Sequence, residues 1–207
     1  LVLLDQNSLD WAARENGLTW PWPRELYGAV VEFCRRAGAK SLAFDVLYTE
    51  ASSYGVEDDR TFAASVDAFG KVAFPVFLGK SAGDRRHWPE PVPPPRFSVS
   101  LIERGLPGKE ETRGFPRAVF PVSELARSAA VLCNVHMIPD PDGIYRRVPL
   151  LGGFDGRVLP ALGLGPVFAA RPGVDLLLGE ERLIIDGMPA PIDGQGRVLL
   201  RYRGPSG

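Results

Sequence analysis

Apolar positions in this chain alternate between short continuous runs and stretches with helical spacing. Leu1-Val2-Leu3-Leu4 closes on Asp5 and predicts a buried strand. Residues 6–23 read as loop, punctuated by Asn7-Ser8, Asn16-Gly17 and Trp20-Pro21-Trp22-Pro23. Pro23 suits the first turn of a helix. Leu26, Val30, Phe33, Cys34 and Ala37 then recur at helical spacing up to Gly38, a natural C-terminal cap. Ser41 to Tyr48 predicts a second strand, apolar almost throughout. A polar loop over 50–57 leads to Asp58 or Asp59 as the cap of a helix carrying Phe62, Ala63, Val66 and Phe69, which Gly70 stops. Lys71 to Leu78 predicts a third strand.

This β-α-β-α-β start, with strands apolar on both faces, implies a parallel sheet covered by helices. Residues 79–118 break the rhythm as a proline-rich loop insertion. Within it, Trp88 to Pro95 is expected to be extended and polyproline-like. Val122 to Ala130 predicts a short helix with Ser123 as its cap, and Ala129 to Ile138 a fourth strand. Pro139-Asp140-Pro141-Asp142-Gly143 is a strong turn, and Ile144 to Leu151 is expected to leave it as the second strand of a hairpin. Pro160 to Ala170 reads as helix. Leu183-Ile184-Ile185, Asp186-Gly187 and Val198 to Tyr202 form a closing β-rich segment. The expected fold class is α/β: a mostly parallel central sheet covered by helices, with a C-terminal antiparallel hairpin and β-rich segment, in one domain over 1–207.

Composition narrows the function classes. With 207 residues the chain is long enough to bury a core without staples. Its 24 basic and 25 acidic residues leave a formal charge of −1, which excludes a globally basic nucleic-acid binder. The insertion carries only a mild positive bias, eight basic against five acidic residues over 80–117. No apolar run approaches the roughly 18 residues that span a bilayer. The chain opens on Leu1 with no initiator methionine or signal pattern, and is expected to be part of a longer protein. Cys34 and Cys133 match no metal spacing. They read as two buried small side chains or as a single disulfide.

Several motifs fail on their context. Gly79-Lys80-Ser81 resembles the end of a phosphate-binding loop, but Phe74 stands where the first glycine belongs. Gly79-Lys80-Ser81-Ala82-Gly83 spells a nucleophile elbow, which needs a helix after the strand and a later histidine such as His136; the sequence offers only charged and proline-rich chain. Asp140-x-Asp142-Gly143 resembles part of a calcium loop, but Pro149 occupies the position of the bidentate glutamate. Gly163-x-Gly165 lacks the third glycine of a dinucleotide fingerprint. No cofactor and no metal is called for.

The remaining candidate is acidic. Asp5 and Asp45 fall at or near the carboxyl ends of two expected parallel strands, the edge where open α/β sheets bind ligands. Glu50, Glu57, Asp58 and Asp59 follow with no basic residue between them. Such carboxylates either hold a polyhydroxyl ligand or a divalent cation, or accept backbone hydrogen bonds and cap helices. The candidate ligand-binding set is Asp5, Asp45, Glu50, Ser52, Ser53 and Asp58, with Trp20 and Trp22 nearby. Trp20, Trp22 and Trp88 line a ligand groove or act as lids on the core.

Four stretches together resemble a known family. They are Val2-Leu3-Leu4-Asp5; Trp20-Pro21-Trp22-Pro23-Arg24 leading into a helix; Ala39 to Leu47 with Glu50 and Ser52 beyond; and Asn134 followed by Asp140-Pro141-Asp142-Gly143-Ile144-Tyr145-Arg146-Arg147-Val148-Pro149-Leu150. The order and spacing are similar to the CHASE domain of the second type, an extracytoplasmic sensory module of bacterial receptors. The resemblance implies membrane helices flanking the chain, a cytoplasmic cyclase or kinase output domain, and no catalytic residue in this segment. It implies a homodimer, no nucleic-acid partner and a small-molecule or protein stimulus. A hydrolase using Ser81 or a metal at the Asp5/Asp45 edge, and a protein-interaction module, are the alternatives.

Overall fold

A computed structural model describes residues 1–101, 114–202 and 204. It is α/β, with a parallel core and an antiparallel C-terminal half. The chain starts differently from expectation. Leu1 to Leu4 pair with no strand among the described residues and are exposed, and α1 (Gln6–Asn16) follows at once. Asp5 is its N-cap: its carboxylate accepts from the Ser8 amide at 2.9 Å and the Ser8 hydroxyl at 2.7 Å. Gly17 ends the helix in the left-handed region, φ 66°. An apolar run forms a strand only where a neighbouring edge accepts it, whereas a capped helix closes its own hydrogen bonds.

The helix α2 (Glu25–Arg36) ends as expected, with Gly38 at φ 80° behind it. Strand β1 is only Leu42–Ala43, shorter than the run Ser41–Tyr48. The helix α3 (Val56–Phe69) starts ahead of Asp58, with Gly55 at the cap and no side-chain cap bond, and stops at Gly70. Strand β2 (Val72–Gly79) is the centre of the first sheet. It pairs in parallel with β1 (Leu42↔Val72) and, from Ala73 to Val76, with a strand Val131–Asn134.

The insertion is not a bare loop. Trp88 to Val92 folds back on itself instead of extending: the Val92 amide donates to the Pro89 carbonyl at 3.0 Å, and the Trp88 indole to the Val92 carbonyl at 2.9 Å. Both side chains are buried, so Trp88 is a core lid. Strand β3 (Ser98–Leu101) follows, and β4 (Arg117–Val119) runs antiparallel to the end of β2. The part of the insertion over 102–113 lies outside the described residues. The short helix α4 is Ser123–Ser128, and β5 is Val131–Asn134.

The expected hairpin across Asp140-Gly143 does not form. The turn is real, with the Asp140 amide donating to Ile144 at 3.0 Å. However, β5 lies in the parallel sheet, while β6 (Arg147–Pro149) pairs with β12 (Arg197–Leu199). The nearest hairpin is instead β7 (Leu151–Phe154) with β8 (Arg157–Pro160). Its Asp155-Gly156 turn has φ 48° and 71°, both positive, as a two-residue hairpin requires. A short 3₁₀ turn (Leu162–Leu164) and α5 (Gly165–Ala170) come next. Strands β9 (Asp175–Leu178), β10 (Arg182–Ile185) and β11 (Met188–Pro191) complete a second sheet in the order β11-β10-β9-β3, its β10–β11 turn again an Asp-Gly pair, Asp186-Gly187.

Alternation along β2 divides the core. Val72, Phe74, Val76 and Leu78 face Phe62 and Val66 of α3 and Leu125 of α4 in one cluster. Ala73 faces the other way, against α5. A Cβ at Gly165 would stand 2.8 Å from Cys133 Sγ and 2.9 Å from Ala73 Cβ, so this approach requires glycine. Phe168 of the same helix enters the second cluster, with Leu176, Leu183 and Ile185. Short helix α5 thus carries sheet contacts and second-cluster packing at once. Cys34 and Cys133 are both buried and unpaired to each other, and burial pushes the Cys133 thiol up.

Candidate functional site

Helix α2 begins at Glu25 behind its cap residue Arg24, and the first amides of a helix have no intrahelical acceptors. No side chain of α2 caps them. Asp58, from the first turn of α3, does so from across the interface. One carboxylate oxygen accepts from the Arg24 amide at 2.7 Å and the other from the Glu25 amide at 2.8 Å. The Ser52 hydroxyl donates to the same group. Asp59, 1% exposed, accepts from the Arg24 guanidinium and from the Ser52 amide at 3.0 Å. The other arm of Arg24 donates to the Glu50 carbonyl, and its Cζ stands 5.2 Å from the centre of the Tyr48 ring.

Burial pushes the Asp58 carboxyl up, but hydrogen bonds from Ser52, Arg24 and Glu25 outweigh it and hold the group below its ordinary value. Burial likewise raises the Tyr48 phenol, whose hydroxyl has no partner among the described residues. The arrangement is a saturated polar lock joining two helices and the 50–53 loop. A cation or sugar placed on Asp58 and Asp59 would have to displace Arg24 or the Ser52 hydroxyl.

The structure therefore gathers Glu50 through its carbonyl, Ser52 and Asp58, and adds Arg24 and Asp59. Arg24 lay in the Trp-Pro-Trp-Pro-Arg stretch, but nothing local marked it as the partner of an acid 35 positions on. Asp5 is placed elsewhere, on the cap of α1, so the two-strand edge expected to join Asp5 and Asp45 does not form. Asp45 and Ser53 are exposed beyond β1, and Trp20 is exposed. Trp22 is half-buried, its indole N–H enclosed without a partner among the described residues. Among the described residues, no three His, Cys, Asp or Glu side chains converge on a point a metal ion could occupy.

Two open grooves flank the sheet. One, about 750 Å³, is lined by Glu50, Asp84, Arg85, Glu90 and Glu124 among others. The second, about 650 Å³, is lined by Lys80, Phe115, Ile138, Asp140, Arg147 and Arg197 among others. Lys80 follows the end of β2, and Ile138 and Asp140 follow β5, so this groove opens at the carboxyl ends of two adjacent parallel strands. Gly79-Lys80-Ser81 is followed by bends and turns, not by the helix that a phosphate loop or nucleophile elbow requires. Asp140 accepts from Arg147 at 2.8 Å and lies 3.5 Å from Arg146, and Asp142 pairs with Arg146 at 2.7 Å. The Asp-x-Asp-Gly turn is thus neutralised by arginines. His136, behind Phe115 at 4.9 Å between ring centres, is held below its ordinary pKa by burial and by the Lys80 charge.

A family model, that of the CHASE2 domain, matches residues 1–206, essentially the whole chain. The chain belongs to the CHASE2 domain family. CHASE2 domains are extracellular sensory domains of receptors. Among the described residues of this CHASE2 domain, no helix is long and apolar enough to cross a membrane. Neither any curated protein nor any solved structure gives a significant match.

Proposed function

We propose that this CHASE2 domain is the extracytoplasmic input module of a bacterial transmembrane receptor, working as a homodimer and passing its state through flanking membrane helices to a cytoplasmic cyclase or kinase domain. The observation that carries the reading is the family match along residues 1–206. A stimulus acts by binding one of two conformations more tightly, and shifts the output by no more than that difference in affinity. The reading needs no chemistry from the domain itself.

The test uses the full-length receptor in sealed cells whose outer layer is permeable to protease. External protease removes the CHASE2 domain while the cytoplasmic output domain survives. Deleting residues 1–202 leaves an output domain that is active or silent but no longer responds to an applied chemical panel. A domain protected from external protease, or regulation that persists after the deletion, overturns the proposal.

A further inference from the structure

We propose that the groove at the carboxyl ends of β2 and β5 binds a small organic anion through Lys80, Arg147 and Arg197, and that this is the stimulus pocket of the domain. The second half rests on the sensory reading above; the first stands on the groove alone.

The position comes first. Parallel strands expose a crevice beyond their carboxyl ends, the usual place for ligands in such sheets. Here the crevice is about 650 Å³, within the range of small-molecule sites. Its charge comes next. Lys80, Arg147 and Arg197 line it against one acid, Asp140. Asp193 stands behind, 3.0 Å from Arg197 and 3.9 Å from Arg147. Arg147 uses Nη1 on Asp140, and Arg197 uses Nε and Nη2 on Asp193. Each guanidinium keeps one terminal nitrogen without a protein acceptor among the described residues, and Lys80 has no ion partner among them.

The acids hold the two forks in place while leaving N–H groups open, which is how arginine presents itself to a carboxylate or phosphate. Gln195 adds an amide to the rim. Phe115, Ile138 and Pro139 supply an apolar wall, which favours an organic anion over a bare inorganic one. At the end of β5, Asn134 Nδ2 and both ring nitrogens of His136 are buried without partners among the described residues, so the same strand end holds further unused polar capacity.

The experiment is titration calorimetry on the 207-residue chain. Probes are succinate, citrate and 3-phosphoglycerate. Inorganic phosphate, chloride at matched ionic strength and neutral succinamide serve as comparisons. One of the organic anions binds one per chain, and succinamide does not bind. Lys80→Gln weakens that binding about ten- to hundredfold, the effect of losing one charge-assisted contact, while Lys80→Arg retains most of it. Arg147→Gln weakens it as well and keeps the fold, because Arg146 remains beside Asp140. Circular dichroism confirms that both variants are folded. No organic anion binding above chloride, phosphate binding as tightly as the organic probes, or folded variants that bind like the unaltered chain overturns the site. Binding that leaves the full-length receptor's output unmoved refutes the stimulus role alone.

Discussion

Removing Asp59 tests whether the Arg24 lock holds the two N-terminal helices of the core together. In Asp59→Ala the Arg24 guanidinium, 10% exposed, loses its ionic partner, and the Ser52 amide loses its acceptor. Breaking a buried ion pair from one side leaves an uncompensated charge and costs about 3–5 kcal/mol. At about 2–4 °C per kcal/mol for a chain of this size, the melting temperature should fall by roughly 6–20 °C. That is a large share of a total stability of about 5–15 kcal/mol. Urea denaturation followed by tryptophan fluorescence and far-ultraviolet dichroism gives the free energy. A double variant, Arg24→Met with Asp59→Leu, separates the charge from the shape: with no orphaned ion it should recover most of the loss. If Asp59→Ala costs under about 1 kcal/mol, the pair behaves as an exposed one and the lock is refuted.

Four further outcomes follow from the packing. Asp58 has a folded-state pKa below its ordinary 3.8, so its contribution is full above that value and is lost as pH falls through the lower folded value; Asp58→Asn should flatten the acid limb of a stability–pH curve, and an unchanged limb sinks the assignment. Gly165→Val forces a branched side chain between Cys133 and Ala73 and should cost about 1–3 kcal/mol or more in chemical denaturation, where a neutral result would mean that α5 does not approach β2 so closely. Phe62→Ala empties a fully buried position ringed by Tyr27, Phe44, Tyr48 and Phe74 and should cost about 3–5 kcal/mol by the same assay. The Cys133 thiol is buried with a raised pKa and should stay unreactive toward a disulfide reagent until the protein unfolds; rapid labelling of the native chain contradicts its place under α5.

Local chemistry settled a definite part of this molecule from sequence alone. The ends of α2 and α3, at Gly38 and Gly70, followed from the left-handed conformation that glycine adopts at little cost. The strand β2 followed from eight nearly continuous apolar positions, and the Asp140-Gly143 turn from its residue types. The family was legible because four short stretches occur in the right order. Pairing was not legible, because a strand's partner is chosen by the whole surface it must cover. Leu1 to Leu4 has the pattern of a strand and lies unpaired, while Asp5, read as a sheet-edge acid, caps a helix that the Asn16-Gly17 signal had marked only as loop. The segment after the turn, from Arg147 to Pro149, takes β12 as its neighbour rather than β5. The acidic run 57–59 showed charge but not purpose. Only the approach of α2 to α3 brought Arg24 and two bare helix amides within reach, turning candidate ligand carboxylates into internal acceptors. The basic groove is likewise a product of topology: Lys80 follows the carboxyl end of β2, Arg147 and Arg197 come from the antiparallel β6–β12 pair, and only the folded chain sets the three around one groove.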